Sequence, residues 1–362
     1  MKKNVKLLAL GLCLMLGAFA IAGCSSADSG EEATAGQASG EPAEAVGQRD
    51  VYVTPEWLNS ALAGEQAGYE GVVVAEVVYD ASADKASYDA GHVPGAIVVS
   101  DVEVEDAVGS EDAPYNLLAA DEVEGYALSH GITKDTKVVL YGADPAGTAR
   151  VAYGYLWLGV EDVKVLNGGI DAWTGAGFDT ETTANEGAAA SDFGVAVPAH
   201  PEYWVSMDDA ARRLKSDDNF KLVSIRSEPE WLGETSGYGY IDRAGEPEGA
   251  VWGKGADTAF DTNGFLNADG TVMTLDEVLA GEWSDVDFTV DNDLAFYCGT
   301  GWRACVPFLF MYQAGYDNMA VYDGGWYEWQ MHDDMPVQVG DPASSDCQHV
   351  KVADLPTDKA AK

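Results

Sequence analysis

Basic residues are what this 362-residue chain has least of: 20 lysines and arginines stand against 61 aspartates and glutamates, a net charge of −41. Arginine occurs only seven times. A surface so poor in cations repels a phosphate backbone, which excludes nucleic acid as a partner. It favours solubility, and it obliges any anionic substrate to find a local positive site against the global field. Histidine is scarce too, at positions 92, 130, 200, 332 and 349, never at ligand spacing with another histidine or a cysteine, so no metal site is legible. Cysteine occurs at 13, 24, 298, 305 and 347. That is too few, and too concentrated in the last third, for a disulfide framework. What remains is ordinary globular material, 47% hydrophobic and 10% aromatic, in a chain long enough for two domains.

Residues 1–23 read as an export signal. MKKNVK is a positive leader, and the apolar run after it has signal-peptide rather than membrane-spanning length. The run ends in Ile21-Ala22-Gly23-Cys24, which resembles a bacterial lipobox with Cys24 as the lipidated residue. Loss of residues 1–23, with Lys2, Lys3 and Lys6, takes the charge to −44. The expected location is therefore extracytoplasmic, lipid-anchored to a bacterial cell membrane. Residues 24–49 are small, polar and acidic, the composition of a disordered tether.

Beyond the tether the chain repeats itself. VVLYG, a loop and ARVAYGYLWLGVEDVKVLNGGIDAW occupy 138–173; LAFYC, a loop and RACVPFLFMYQAGYDNMAVYDGGWYEW occupy 294–329. Tyr141 and Tyr297, Gly159 and Gly315, Gly168 and Gly324, and Trp173 and Trp329 share one constant offset of 156. Upstream, Thr54 and Ser206 stand as matching helix N-caps, and Pro55 suits a first helical position. The repeat gives two domains, 50–185 and 199–340, joined by a linker at 186–198 and followed by a polar tail at 341–362. In each copy short apolar runs (VVVAEV, KVVLYG and VKVL; KLVSI, LAFYC and MAVY) alternate with helical stretches. That order predicts an α/β fold with a mostly parallel sheet flanked by helices.

Such sheets collect reactive groups beyond the carboxyl ends of their strands. Cys298 lies at one such end, in FYCGTGWRAC. Pro307 is tolerated only in the first turn of the helix that follows, so Gly299–Trp302 are expected to form a tight loop. Gly299 and Gly301 allow successive N–H groups to face one point. Those groups, the helix start and Arg303 favour a thiolate at Cys298, a nucleophile at the mouth of an anion cradle. The competing reading is a packed strand-end thiol.

The segment FYCGTGWRA resembles the active-site loop of the rhodanese family, the thiosulfate and 3-mercaptopyruvate sulfurtransferases. GHVPGAI at 91–97, VLNGGIDAW at 165–173, VYDGGWYEW at 321–329 and the tandem arrangement extend the resemblance over nearly all of 50–340. It implies two tandem rhodanese-like domains, the first catalytically silent, the second with a cysteine that carries sulfane sulfur as a persulfide. Gly142 stands in the first copy where Cys298 stands in the second. Four residues separate Cys298 from Arg303, the loop size of sulfur-transferring members; related phosphatases place five there. Cys-Gly-Thr-Gly is similar to the loop of mercaptopyruvate enzymes, while the continuation Trp302-Arg303 is similar to bacterial members grouped with thiosulfate enzymes. The donor stays open between the two.

The resemblance also implies that Arg226, in LVSIRSEPEW, anchors the anionic end of the donor together with Arg303, although Ser224 replaces the usual aspartate of that motif. A structural ion pair with Glu228 or Glu230 is the alternative for Arg226. Arg243 and Lys254 read as surface residues, His92 as a structural residue of a turn, and Cys305 as a core thiol; Cys347 has no assigned role. Trp302 is a candidate shield for the persulfide. The implied activity moves sulfur from a small anionic donor to cyanide, sulfite or a thiol through Cys298, with no metal or organic cofactor. The alternative is a lipoprotein that carries sulfane sulfur to one partner without turnover.

Overall fold

A computed structural model describes residues 49–82, 85–105 and 115–362. The expected signal segment, Cys24 and the tether up to residue 48 lie outside the described residues. Arg49, assigned above to the tether, is docked: it donates to the carbonyls of Tyr312 and Tyr316 and stacks over the Tyr312 ring.

The first copy builds a five-stranded sheet from β1 (Tyr52–Val53), β2 (Val73–Val78), β3 (Ile97–Ser100), β4 (Lys137–Gly142) and β5 (Asp162–Leu166). Its order is β1-β5-β4-β2-β3, every pair parallel. The second copy repeats it with β6 (Trp204–Val205), β7 (Phe220–Ser224), β9 (Val251–Trp252), β10 (Asp293–Tyr297) and β11 (Met319–Tyr322), in the order β6-β11-β10-β7-β9, again all parallel. The apolar runs are buried strands because helices cover both faces of a parallel sheet. Both N-caps form: Thr54 accepts from the Trp57 N–H and Ser206 from that of Asp209.

A third, antiparallel sheet joins β8 (Glu246–Pro247), β12 (Pro336–Val339) and β13 (Gln348–Lys351). The segment 341–362, read from the sequence as a polar tail, supplies β13 to it. The chain beyond β13 also docks, with the Lys359 carbonyl accepting from Ser236 N–H and Ala361 donating to Tyr238 O. Val352 and Leu355 are buried in the hydrophobic cluster of the second copy, and the polar residues after them are attached by these backbone hydrogen bonds. The linker is tied down in a similar way: Ala190 donates to Leu128 O, Lys134 donates to Phe193 O, and Phe193 is buried.

The helix Pro145–Leu158 is buried at every position from Ala146 onward, and the helix Cys305–Gln313 is buried from Cys305 to Met311. A helix without a polar face needs cover on all sides. Each supplies that cover for the other: Tyr153 meets Phe308 edge to face at 5.0 Å, and one hydrophobic cluster runs through both copies. The carboxyl ends of the two central strands, β4 and β10, are thereby held in one body.

Candidate active site

Although the two central strands correspond, the segments after them fold differently. In the first copy Asp144 accepts from the Ala146 N–H and Pro145 takes the first helical position, so the helix begins at once. At the same offset the second copy has Thr300 and Gly301, and its helix waits until Cys305. Arg303, where the sequence suggests the helix begins, belongs instead to the turn before it, two residues short of the observed start. Pro307 sits in the first turn as required.

The delay creates the loop. Gly301 has φ +84°, and a Cβ there would lie 2.6 Å from the Asp323 carbonyl. At Gly299 an added Cβ would meet the Tyr238 ring at 2.2 Å. One glycine serves a left-handed turn and the other a close approach. The carbonyls of Cys298 and Gly299 accept from the N–H groups of Trp326 and Tyr327, both at 2.9 Å. With those carbonyls engaged on one side, no acceptor among the described residues takes the N–H of Gly299, Thr300, Gly301, Trp302 or Arg303. Five consecutive unpartnered donors form an anion cradle of the kind the loop spacing predicted.

Cys298 has only 1% of its surface exposed, yet it lines a cavity of about 330 Å³ together with Thr300, Trp302 and Arg303. The rest of the wall comes from both copies. Tyr238, Tyr240, Ala259 and Phe260 belong to the second; Tyr79, Glu105, Tyr115, Asp144 and Ala146 belong to the first. The first copy therefore contributes part of the cavity wall. In that copy a Cβ at Gly142 would lie 2.6 Å from Thr148 Oγ1 and 2.7 Å from the Val77 carbonyl, so no side chain fits where a nucleophile would stand.

Arg303 is pinned from one side. Its Nη1 and Nη2 donate to the two carboxylate oxygens of Glu230, each at 3.0 Å, and further to Thr258 O and the Tyr238 hydroxyl, while Nε has no partner. Burial on its own would raise the Glu230 carboxyl, but Arg303 and Arg226 reverse this and hold it down at about 2. Glu230 also closes a capping box on Ser227, which fixes its position.

The substrate-binding role implied for Arg226 is corrected by its surroundings. Arg226 is fully buried and lies outside the cavity wall. Its guanidinium donates to Glu230, Glu246, Gly245 O and Ser236 O, which leaves it little capacity for a substrate. The ion-pair alternative describes it, with Glu230 as the partner. Arg226 positions Glu230, which in turn positions Arg303.

Trp302 reaches across to the first copy, its Nε1 donating to Glu105 Oε2 at 2.6 Å. Glu105 is buried, and that burial, opposed by Arg150 and the Trp302 bond, pushes its carboxyl up to about 8. Behind Gly301, the buried Arg150 of the first copy pairs with Asp323 at the end of β11 and donates to Tyr115 O at 3.0 Å. Cys305 donates to Gly301 O at 3.3 Å and burial pushes its thiol up, which suits a core residue rather than a second reactive sulfur. Arg243 pairs with Asp333 and Lys254 with Asp285, both outside the cavity wall. His92 is buried between the carbonyls of Tyr88 and Thr183. Cys347 lies half-buried near Gly340 O. No group of three or more histidine, cysteine, aspartate or glutamate side chains among the described residues is placed to hold a metal ion, and no described helix is long and apolar enough to cross a membrane.

Sequence reading missed Glu105, Asp144, Arg150, Tyr238 and Asp323. The loop GYGY at 237–240 and the acidic run near 101–105 were visible as patterns, but only the packing of the copies gives them a common target.

A cysteine at a parallel strand end, a glycine-containing loop with unpartnered N–H groups after it, and a second copy of the same fold define a protein of two tandem rhodanese-like domains. Residues 54–176 and 206–332 each match the rhodanese-like domain, and the chain belongs to the rhodanese family. It is 37% identical over 290 residues to the thiosulfate sulfurtransferase YnjE of Escherichia coli, covering 80% of this chain and 65% of that one; the crystal structure of YnjE superposes with a TM-score of 0.74. The chain thus spans just under two thirds of that relative. The anaerobic ergothioneine biosynthesis enzyme from Chlorobium limicola, solved in complex with its natural substrate trimethyl histidine, is 33% identical with a TM-score of 0.73, covering 80% of this chain and 70% of that one. The sulfur carrier protein TtuD of Thermus thermophilus is 27% identical over 322 residues, covering 81% of this chain and 98% of that one.

Proposed function

We propose that the chain is a sulfurtransferase in which Cys298 accepts sulfane sulfur from thiosulfate or 3-mercaptopyruvate and passes it to a nucleophilic acceptor. The Cys298 thiolate attacks the outer sulfur of the donor. A new S–S bond forms, and the donor's own bond to that sulfur breaks, with the electron pair leaving on sulfite or on the pyruvate carbon, which takes up a proton. The acceptor then attacks the outer sulfur of the persulfide and returns the electron pair to Cys298. The unpartnered N–H groups of Gly299–Arg303 carry this reading, because they follow Cys298 directly and remain available to a thiolate or persulfide anion. Arg303 adds its free Nε–H.

Similar proteins are named for thiosulfate sulfur transfer, for sulfur carriage and for ergothioneine biosynthesis with trimethyl histidine as substrate, which supports sulfur transfer as the shared reaction. A carrier that loads once and hands its sulfur to a partner is the second reading, supported by the resemblance to a sulfur carrier protein. The leader ending at Cys24 supports a lipid-anchored, extracytoplasmic form; labelling by a radioactive fatty acid that disappears in Cys24→Ala tests it. For the activity, thiosulfate or 3-mercaptopyruvate is mixed with cyanide and thiocyanate is measured. Repeated turnover lost in Cys298→Ser supports the enzyme, one sulfur per chain without turnover supports the carrier, and absence of both rejects sulfur transfer.

A further inference from the structure

The cavity in front of Cys298 has a wall unlike that expected for an anion. Its basic residue, Arg303, is matched by the bidentate Glu230 carboxylate. Two further carboxyls, Glu105 and Asp144, enter the wall from the first copy; the basic residue near Glu105, Arg150, lies outside the lining and is paired with Asp323. The Glu105 side chain is buried; Trp302 donates to its Oε2, Arg150 stands 3.8 Å from the same oxygen, and Oε1 takes part in none of the described hydrogen bonds.

Around these carboxyls the rings are continuous. Phe260 meets Tyr238 at 5.4 Å, Tyr238 meets Tyr240 at 5.4 Å, Tyr240 meets Tyr115 at 5.4 Å, and Trp302 faces Tyr79 at 6.3 Å. Three of these rings lie at the mouth with large exposed surfaces: Phe260 is 75% exposed, Tyr79 65% and Tyr240 46%. Exposed aromatics gathered on the rim of one cavity mark a surface kept for a ligand. Aromatic faces combined with carboxylates attract organic cations, whose charge is spread over methyl or methylene groups.

We propose that this cavity, built jointly by the two copies, selects a small organic cation, a quaternary or protonated amine carrying a nucleophilic sulfur, as the acceptor of the Cys298 sulfur. This rests on the sulfur-transfer reading and names its acceptor class. The amide cradle serves the anionic persulfide, and the aromatic and acidic wall serves the cation. Transfer then needs no redox partner. The acceptor thiolate attacks the outer sulfur, its new S–S bond replaces the one to Cys298, and Cys298 keeps the electron pair as thiolate.

The test uses the full chain preloaded with sulfur on Cys298, at pH 9 so that the Glu105 carboxyl is ionised, and follows unloading by thiocholine, 2-mercaptoethanol and 2-mercaptoethanesulfonate. Each rate is divided by the same thiol's rate with a free alkyl persulfide, which removes differences in intrinsic reactivity. Thiocholine is expected to lead the neutral thiol by about tenfold or more and the sulfonate to trail both. Choline, which cannot take sulfur, should inhibit thiocholine competitively. In Glu105→Gln, which keeps an acceptor for Trp302, the thiocholine advantage should shrink towards unity. Equal normalised rates, or a lead for the sulfonate, overturn the proposal. Should Cys298 take no sulfur at all, the sulfur-transfer reading fails on its own, and calorimetry with choline decides the cation site: saturable binding lost in Glu105→Gln upholds the site, and absence of binding overturns it.

Discussion

Arg150 of the first copy forms a buried ion pair with Asp323 of the second, directly behind Gly301 of the reactive loop. The two residues are 173 positions apart, and each is withdrawn from water. Asp323 Oδ2 also accepts from the Leu117 N–H at 2.6 Å, so the pair fastens a first-copy loop as well. Removing one partner strands a charge in a dry interior. Asp323→Ala is expected to destabilise the chain by about 3–5 kcal/mol, whereas replacing both partners with apolar residues of similar volume restores much of the loss. Urea unfolding of the two single variants and the double variant measures this.

Two glycines make separate predictions. Gly299→Ala places a Cβ against the Tyr238 ring, which is packed on Arg303 and cannot retreat freely. The expected result is a loss of about 1–3 kcal/mol in a denaturant melt together with reduced sulfur loading. Gly142→Cys does not create a second reactive site, because its Cβ alone already collides with Thr148 and the Val77 carbonyl. Thiol labelling and intact mass after donor treatment should still find one persulfide per chain.

Glu230 links both motif arginines. In Glu230→Gln the bidentate carboxylate of Arg303 is lost, and Arg226 keeps only Glu246 as an anion. An uncompensated buried guanidinium should lower stability by roughly 3–5 kcal/mol. The loop should loosen as well, so the rate of sulfur loading falls further than for a surface glutamate substitution such as Glu161→Gln. Stopped-flow loading against the melting curves separates the two effects.

Acidity is expected to affect stability in a defined direction. Burial first, then the neighbouring Asp144 and Glu105 charges, push the Asp101 carboxyl up to about 8, and burial likewise pushes Glu105 up to about 8. In the unfolded chain both groups release their protons near pH 4 to 4.5. Between there and pH 8 the folded state holds more protons than the unfolded state, so stability falls as pH rises through that window. Glu230 acts oppositely: held at about 2, it contributes stability above its unfolded value that is lost as pH falls towards 2. The melting temperature should therefore rise as pH is lowered from about 8 to about 5, and fall on further acidification. Thermal melts across that range check both limbs.

The parallel sheets were legible because their strands are apolar on both faces, so KVVLYG, LAFYC and MAVY stand out as continuous runs. The reactive loop was legible because its constraints are local: two glycines, one arginine and a proline whose missing N–H fixes the helix start. Arg226 was not, since its meaning depends on Glu246, which meets it across 20 residues, and on Ser236 O and Gly245 O, which no side-chain pattern reveals. The acidic and aromatic wall was further out of reach. Glu105 and Trp302 stand 197 residues apart and belong to different copies. A repeat in sequence announced two domains, and their shared buried helices bring part of the cavity wall from the copy with Gly142 at the position of Cys298.

The most direct test of the account is the mass of the intact chain after brief treatment with thiosulfate or 3-mercaptopyruvate. A gain of one sulfur atom, mapped to the peptide containing Cys298, removed by an acceptor and missing from Cys298→Ser but present in Cys305→Ser, is the predicted result. A chain that gains no sulfur from either donor, or gains it equally without Cys298, contradicts the account.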